Sequence, residues 1–135
     1  MKITVAGIPA PQGSKRHVGG GRMVEQSRAV GPWREAVRAE TQRVVGCCGS
    51  GLDYDPSSPV WVELVFRLAR PKSAPASVRW PAKRPDLDKL CRAVLDGLTA
   101  GGAFADDSQV VYLAAKKTFA SPARPPGCDI VVEAV

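Results

Sequence analysis

Apolar residues recur along this chain with two different periods, and the switches between them divide it into elements. From Lys2 to Ile8 the pattern alternates, with Ile3 and Val5 on one side, which predicts a short strand. Pro9, Pro11 and Gly13 end it. Residues 12–28 carry no periodic apolar set. Gln12, Gly13, Ser14, Lys15, Arg16, His17 and the run Gly19-Gly20-Gly21-Arg22 predict a long polar, basic loop. Pro32 suits the first turn of a helix reaching to about Val45, with Trp33, Ala36, Val37, Glu40, Thr41 and Val44 along its stripe. Gly46, Gly49, Gly51, Pro56 and three serines make 46–58 a loop.

The period then changes to two. From Pro59 to Leu68, Val60, Val62, Leu64, Phe66 and Leu68 face one way, and Trp61, Glu63, Val65 and Arg67 the other, as in a strand with one face in a core. Residues 70–85 hold four prolines and no acid and read as an extended loop. Leu87, Leu90, Cys91, Val94, Leu95 and Leu98 recur at three and four, predicting a helix from Asp86 to Leu98 with Asp86 at its N-cap and Gly101-Gly102 past its end. Gln109 to Phe119 reads as a strand with Val111, Leu113 and Phe119 on one side, and a last strand runs from about Asp129 to Val135. The order is β-α-β-loop-α-β-β. It predicts one small α+β domain over residues 1–135, a mixed sheet of about four strands with two main helices.

Composition agrees with a single core. The chain has 135 residues, 44% hydrophobic and 24% charged, which is ordinary for a globular domain. No apolar run approaches the ~20 residues of a membrane span, and the N-terminus lacks a signal-peptide pattern, so a cytoplasmic protein with no membrane association is expected. Cys47 and Cys48 are adjacent while Cys91 and Cys128 stand alone. With no CxxC pair and His17 as the sole histidine, zinc frameworks lack a ligand set, and free thiols are expected.

Charge changes the picture more. The net charge is +6, unevenly placed. Residues 1–43 sum to +5, 44–66 to −3, 67–84 to +6, 85–107 to −3 and 108–135 to +1. A basic surface selects polyanions, because each neutralised phosphate releases counterions. Lys15, Arg16 and Arg22 in the first basic stretch, and Arg70, Lys72, Arg79, Lys83 and Arg84 in the second, are the candidate DNA contacts. The acidic island between 85 and 107 is then the anomaly. Clustered carboxylates repel one another and repel DNA unless a cation lies among them.

That island carries the candidate chemistry. Asp86 and Asp88 flank the start of the second helix, with Leu87 between them pinned by the core stripe. Asp106 and Asp107 stand at the mouth of the following strand. Alone, the first pair reads as helix-capping acids favoured by the macrodipole, and the second as turn residues. Together in a basic chain they favour an oxygen-rich site for a hard cation such as Mg²⁺. Asp96, farther along the helix, reads as structural.

The string Arg84-Pro85-Asp86-Leu87-Asp88-Lys89-Leu90, then Ala93-Val94-Leu95-Asp96-Gly97-Leu98, then Asp106-Asp107-Ser108-Gln109-Val110 resembles the RusA family of Holliday junction resolvases. The resemblance is strongest over 83–118. It implies a small, homodimeric endonuclease, bacterial or phage-encoded, using Mg²⁺ with Mn²⁺ as a substitute, and products with 5′-phosphate and 3′-hydroxyl ends. It matches Asp86, Asp88 and Asp107 to the metal-binding carboxylates, with Asp106 as the acidic neighbour. The family's catalytic lysine falls at Arg92, which keeps the charge but presents a planar fork that does not deprotonate. Lys89 is the other nearby base. The leading expectation is therefore a Mg²⁺-dependent endodeoxyribonuclease that resolves four-way junctions by paired nicks. A nuclease for other branched DNA, and a junction-binding protein without catalysis, are the alternatives.

Overall fold

The computed structural model describes residues 1–13, 15–18, 22–25, 28–48 and 55–135, with the backbone alone for 15–18, 22–25 and 48. Its elements are β1 (Lys2–Ala6), β2 (Lys15–Val18), β3 (Arg22–Glu25), α1 (Val30–Cys48), β4 (Val60–Leu68), α2 (Leu87–Gly101), a 3₁₀ turn (Asp107–Gln109), β5 (Val110–Phe119) and β6 (Gly127–Ala134). Four strands form one mixed sheet in the order β1-β6-β4-β5. The β1–β6 and β6–β4 pairs are antiparallel, and β4–β5 is parallel. A parallel pair needs a crossover, and α2 supplies it.

Both helices pack on one face of this sheet. The alternation predicted along β4 is realised: Val60, Val62, Leu64, Phe66 and Leu68 are buried, and Ile3 and Val5 of β1 and Ile130 and Val132 of β6 join them. Leu90, Ala93, Val94 and Leu98 of α2 and Trp33 and Val37 of α1 close the core from above. The helices approach closely because Gly97 and Gly101 lie where α2 meets α1. A Cβ at Gly97 would sit 2.7 Å from Val37 Cγ1, and one at Gly101 2.6 Å from Thr41 Cβ. The chain leaves α2 through Gly102, whose φ of 89° is left-handed and whose N–H bonds the carbonyls of Leu98 and Thr99.

Two expectations are corrected. The loop predicted over 12–28 contains an antiparallel ribbon, in which Lys15 pairs with Glu25 and Val18 with Arg22. Strands of four residues give too few side chains per face for periodicity to register, and the triple glycine between them was the available hairpin signal. Helix α1 is also longer than predicted at both ends. Gly31 and Pro32 sit in its first turn, where backbone N–H groups have no intrahelical partner and a proline loses nothing. Of the loop predicted at 46–58, residues 46–48 are helical, and residues 49–54 lie outside the described residues.

Strand β5 is an edge strand with an irregularity at its start. Val60 pairs with Val110 but Trp61 with Tyr112, so Val111 is skipped. Val111, Tyr112 and Leu113 are all exposed. Tyr112 lies against Trp61 on the sheet face away from the helices, their ring centroids 5.3 Å apart. No helix among the described residues is long and apolar enough to cross a membrane.

Candidate active site

The N-terminus of α2 gathers most of the predicted site residues. Leu87 is partly buried against the core, which fixes the rotation of the first turn, and Asp86 and Asp88 on either side of it are exposed. Asp86 occupies the N-cap position, yet its side chain makes no capping hydrogen bond. A capping aspartate would turn its oxygens onto the helix N–H groups. Here they remain available outward, with Lys89 Nζ 3.7 Å from Oδ2. Arg92 is exposed and follows Asp88 by four residues, so it shares that side of the helix. The core side of the same turn is inert: burial pushes the Cys91 thiol up to about 11, with the Asp88 charge adding to it, so it is neutral at ordinary pH.

The second acidic pair splits into two roles. The 3₁₀ turn lies beside α2. Asp106 precedes the turn, and its carboxylate accepts the Ser108 hydroxyl, while its N–H bonds Gln109 Oε1. The Ser108 hydroxyl first, and then the backbone N–H groups of Ser108 and Asp107, hold its carboxyl below the usual value against a smaller opposing effect of burial. Gln109 also reaches across to the carbonyls of Asp55 and Ser58, tying the turn to the start of β4. Asp106 thus builds the turn, and Asp106 and Asp107 are both exposed at it.

Convergence of the three aspartates, expected from the sequence, is not found within the single chain. Among the described residues no three of Asp, Glu, His and Cys come together closely enough to hold one metal ion. Repulsion between uncompensated carboxylates acts in that direction. The donor set still fits Mg²⁺, which is held by one or two carboxylates, several waters and substrate phosphate rather than by a cage of protein ligands. The outward oxygens of Asp86, with Asp88 beside them, meet that requirement.

Two neighbours frame the site. Lys117 of β5 lies on the helix side of the sheet, and its Nζ donates to the carbonyls of Lys83 and Pro85, each at 2.9 Å. It thereby holds the stretch Lys83–Pro85 that leads into Asp86. Periodicity was the signal for it, because Lys117 shares its side of β5 with Leu113, Ala115 and Phe119. On the opposite flank the Gln12 N–H donates to the Lys89 carbonyl at 3.0 Å, and Arg34 Nη1 donates to Gln12 Oε1. The basic ribbon β2–β3 therefore departs from beside the first turn of α2.

The conserved pattern described as Endodeoxyribonuclease RusA matches residues 6–132, nearly the whole chain. The chain belongs to the RusA endodeoxyribonuclease family. No curated protein matches it in a direct sequence comparison. Membership makes this a DNA-cleaving hydrolase domain of the class that resolves Holliday junctions. Within that RusA domain, the second basic stretch of candidate DNA contacts is placed by the loop between β4 and α2. Lys72, Arg79, Lys83 and Arg84 are exposed there. Arg70 is exposed too but bonded within the chain, its guanidinium 4.2 Å above the Phe119 ring and donating to the carbonyls of Pro75 and Val78. The side chains of Lys15, Arg16 and Arg22 lie outside the described residues. Asp96 faces α1, with Oδ2 4.0 Å from Arg34 Nη1, as a structural residue would.

Proposed function

We propose that this RusA domain is a Mg²⁺-dependent nuclease that resolves four-way DNA junctions by two symmetric nicks, and that it works as a homodimer. The observation that carries the reading is the outward, uncapping Asp86 beside exposed Asp88 at the start of α2, in a chain whose flanking segments are basic. Asp86 and Asp88 would hold Mg²⁺, with Mn²⁺ able to replace it, and Asp107 would be drawn in only as ion and phosphate bind. When bound, the cation supplies an activated water and neutralises charge at the scissile phosphate.

The chain's own residues do the rest. The α2 macrodipole places positive potential where phosphate and carboxylates meet. Arg92 and Lys89, on the first turns of that helix, present cations to the phosphoryl oxygens as charge develops there. Arg92 acts electrostatically, because a guanidinium does not give up a proton at working pH. Lys72, Arg79, Lys83 and Arg84, with Lys15, Arg16 and Arg22, bind the arms through phosphates and so read shape rather than sequence. Paired symmetric cuts call for two equivalent sites, which a C2 dimer provides.

The test is a substrate panel. With Mg²⁺ or Mn²⁺ the protein nicks a synthetic four-way junction and leaves linear duplex intact, and without divalent metal it cuts neither. Faster cleavage of flaps or forks than of junctions would transfer the assignment to other branched DNA. Tight junction binding with no cut under either metal would leave a binding protein without catalysis.

A further inference from the structure

We propose that Trp80 is a stacking platform for a base exposed at the branch point of the DNA, and hence a contact that selects branched over linear DNA. The inference rests on the branched-DNA reading above and adds to it a residue with a role of its own. Three observations carry it.

Trp80 is 60% exposed, whereas Trp33 is buried in the core and Trp61 is partly buried with its ring against Tyr112. A large indole left in water is unusual in a chain with a core to receive it. Its segment is cationic: residues 67–84 hold six bases and no acid, and of these Lys72, Arg79, Lys83 and Arg84 are exposed in the same loop. A basic surface with a bare aromatic suits a partner that is polyanionic and has π faces, which describes nucleic acid with unstacked bases.

The loop is also held in place. Arg70 bonds the carbonyls of Pro75 and Val78, and Lys117 bonds those of Lys83 and Pro85. Trp80 lies between these two tethers, and its own carbonyl accepts the Ala82 N–H at 2.9 Å. The indole is thus displayed on a segment fixed on both sides, which lowers the ordering cost of binding.

Trp80 is also tied closely in sequence to the candidate site. Trp80 precedes Asp86 by six residues. Six residues span at most roughly 20 Å, or about six nucleotides at ~3.4 Å per strand step. A base on Trp80 and a phosphate at Asp86 can therefore belong to the same branch point. Paired duplex offers no free face for stacking, whereas interrupted stacking at a branch lowers the cost of exposing one.

The experiment measures binding in Ca²⁺, which suppresses cutting, using a four-way junction with 2-aminopurine at its centre and the matching linear duplex. Wild type should change the 2-aminopurine fluorescence. Trp80→Ala should lose that signal and bind the junction roughly 5- to 100-fold more weakly, with duplex affinity and the salt dependence of binding unchanged. Trp80→Phe should keep most of the affinity. Equal junction binding by Trp80→Ala overturns the proposal, as does an equal loss on duplex. Sedimentation of each variant covers the rival explanation: a fall to monomer mass would mark Trp80 as a contact between subunits and overturn the proposal. If Trp80→Ala does not fold, the fluorescence signal of wild type and the affinity of Trp80→Phe still decide it. Wild type that binds no junction at all would refute the branched-DNA reading itself.

Discussion

Asp129 Oδ2 receives two guanidinium groups, from Arg67 and Arg124, each at 2.6 Å. Arg67 is only 5% exposed, and its Nε donates to the Pro125 carbonyl at 2.7 Å. Together these bonds pin the connection between β5 and β6. Burial pushes the Asp129 carboxyl up, but the hydrogen bonds and charges of Arg67 and Arg124 outweigh it, and the net shift is downward. A carboxyl whose folded pKa lies below its unfolded one stabilises fully above the unfolded value, near ~4, and loses that contribution as pH falls through the folded value. Asp129→Asn should therefore cost about 2–3 kcal/mol at neutral pH by urea denaturation, less than a fully buried pair because the carboxylate is partly open to water. The gap between wild type and variant should close below pH 4. A gap that persists there would mean that geometry, not charge, is what the variant loses. Lys117 acts at the same scale. Lys117→Met should lower the junction cleavage rate by roughly 10-fold or more, since small displacements of a reacting group are that costly. Junction affinity should hold. A variant that loses affinity instead would place Lys117 on the DNA rather than behind Asp86.

At the scale of elements, the glycines of α2 set the helix crossing. A Cβ at Gly101 would lie 2.6 Å from Thr41 Cβ and 2.8 Å from the Arg38 carbonyl, and atoms so close to the backbone have nowhere to swing. Alanine favours helix by about 1 kcal/mol over glycine, but overpacking at such a contact costs about 1–3 kcal/mol. Gly101→Ala should accordingly be net destabilising by thermal unfolding. A rise in Tm would mean that the helices separate freely. The long elements were legible in sequence because β4 and α2 repeat their apolar residues four or more times at one period. The β2–β3 ribbon was not, because each strand has only four residues. The acids were legible as two clusters, but the division of labour between Asp106 and Asp107 depends on Ser108 and Gln109 side-chain bonds that spacing does not encode. The Asp86 position was legible as an N-cap. That its side chain does not cap, the fact that matters most for the site, is visible only in three dimensions.

At the scale of the molecule, the helices cover one sheet face, and the acids and the tethered basic loop meet where β4 crosses through α2 to β5. The +6 net charge suits a DNA partner and predicts binding that weakens with salt. The acidic island is where the proposed cation would be held. Among the described residues no three carboxylates come together, so in the proposed reading an ion and the phosphate would complete what Asp86 and Asp88 begin. The most direct test compares wild type with Asp88→Asn on a four-way junction in Mg²⁺, with junction binding measured alongside. Wild type should make paired nicks, Asp88→Asn should cut slower by orders of magnitude, and both should retain junction binding. An Asp88→Asn protein that cuts as fast as wild type would contradict the proposed site.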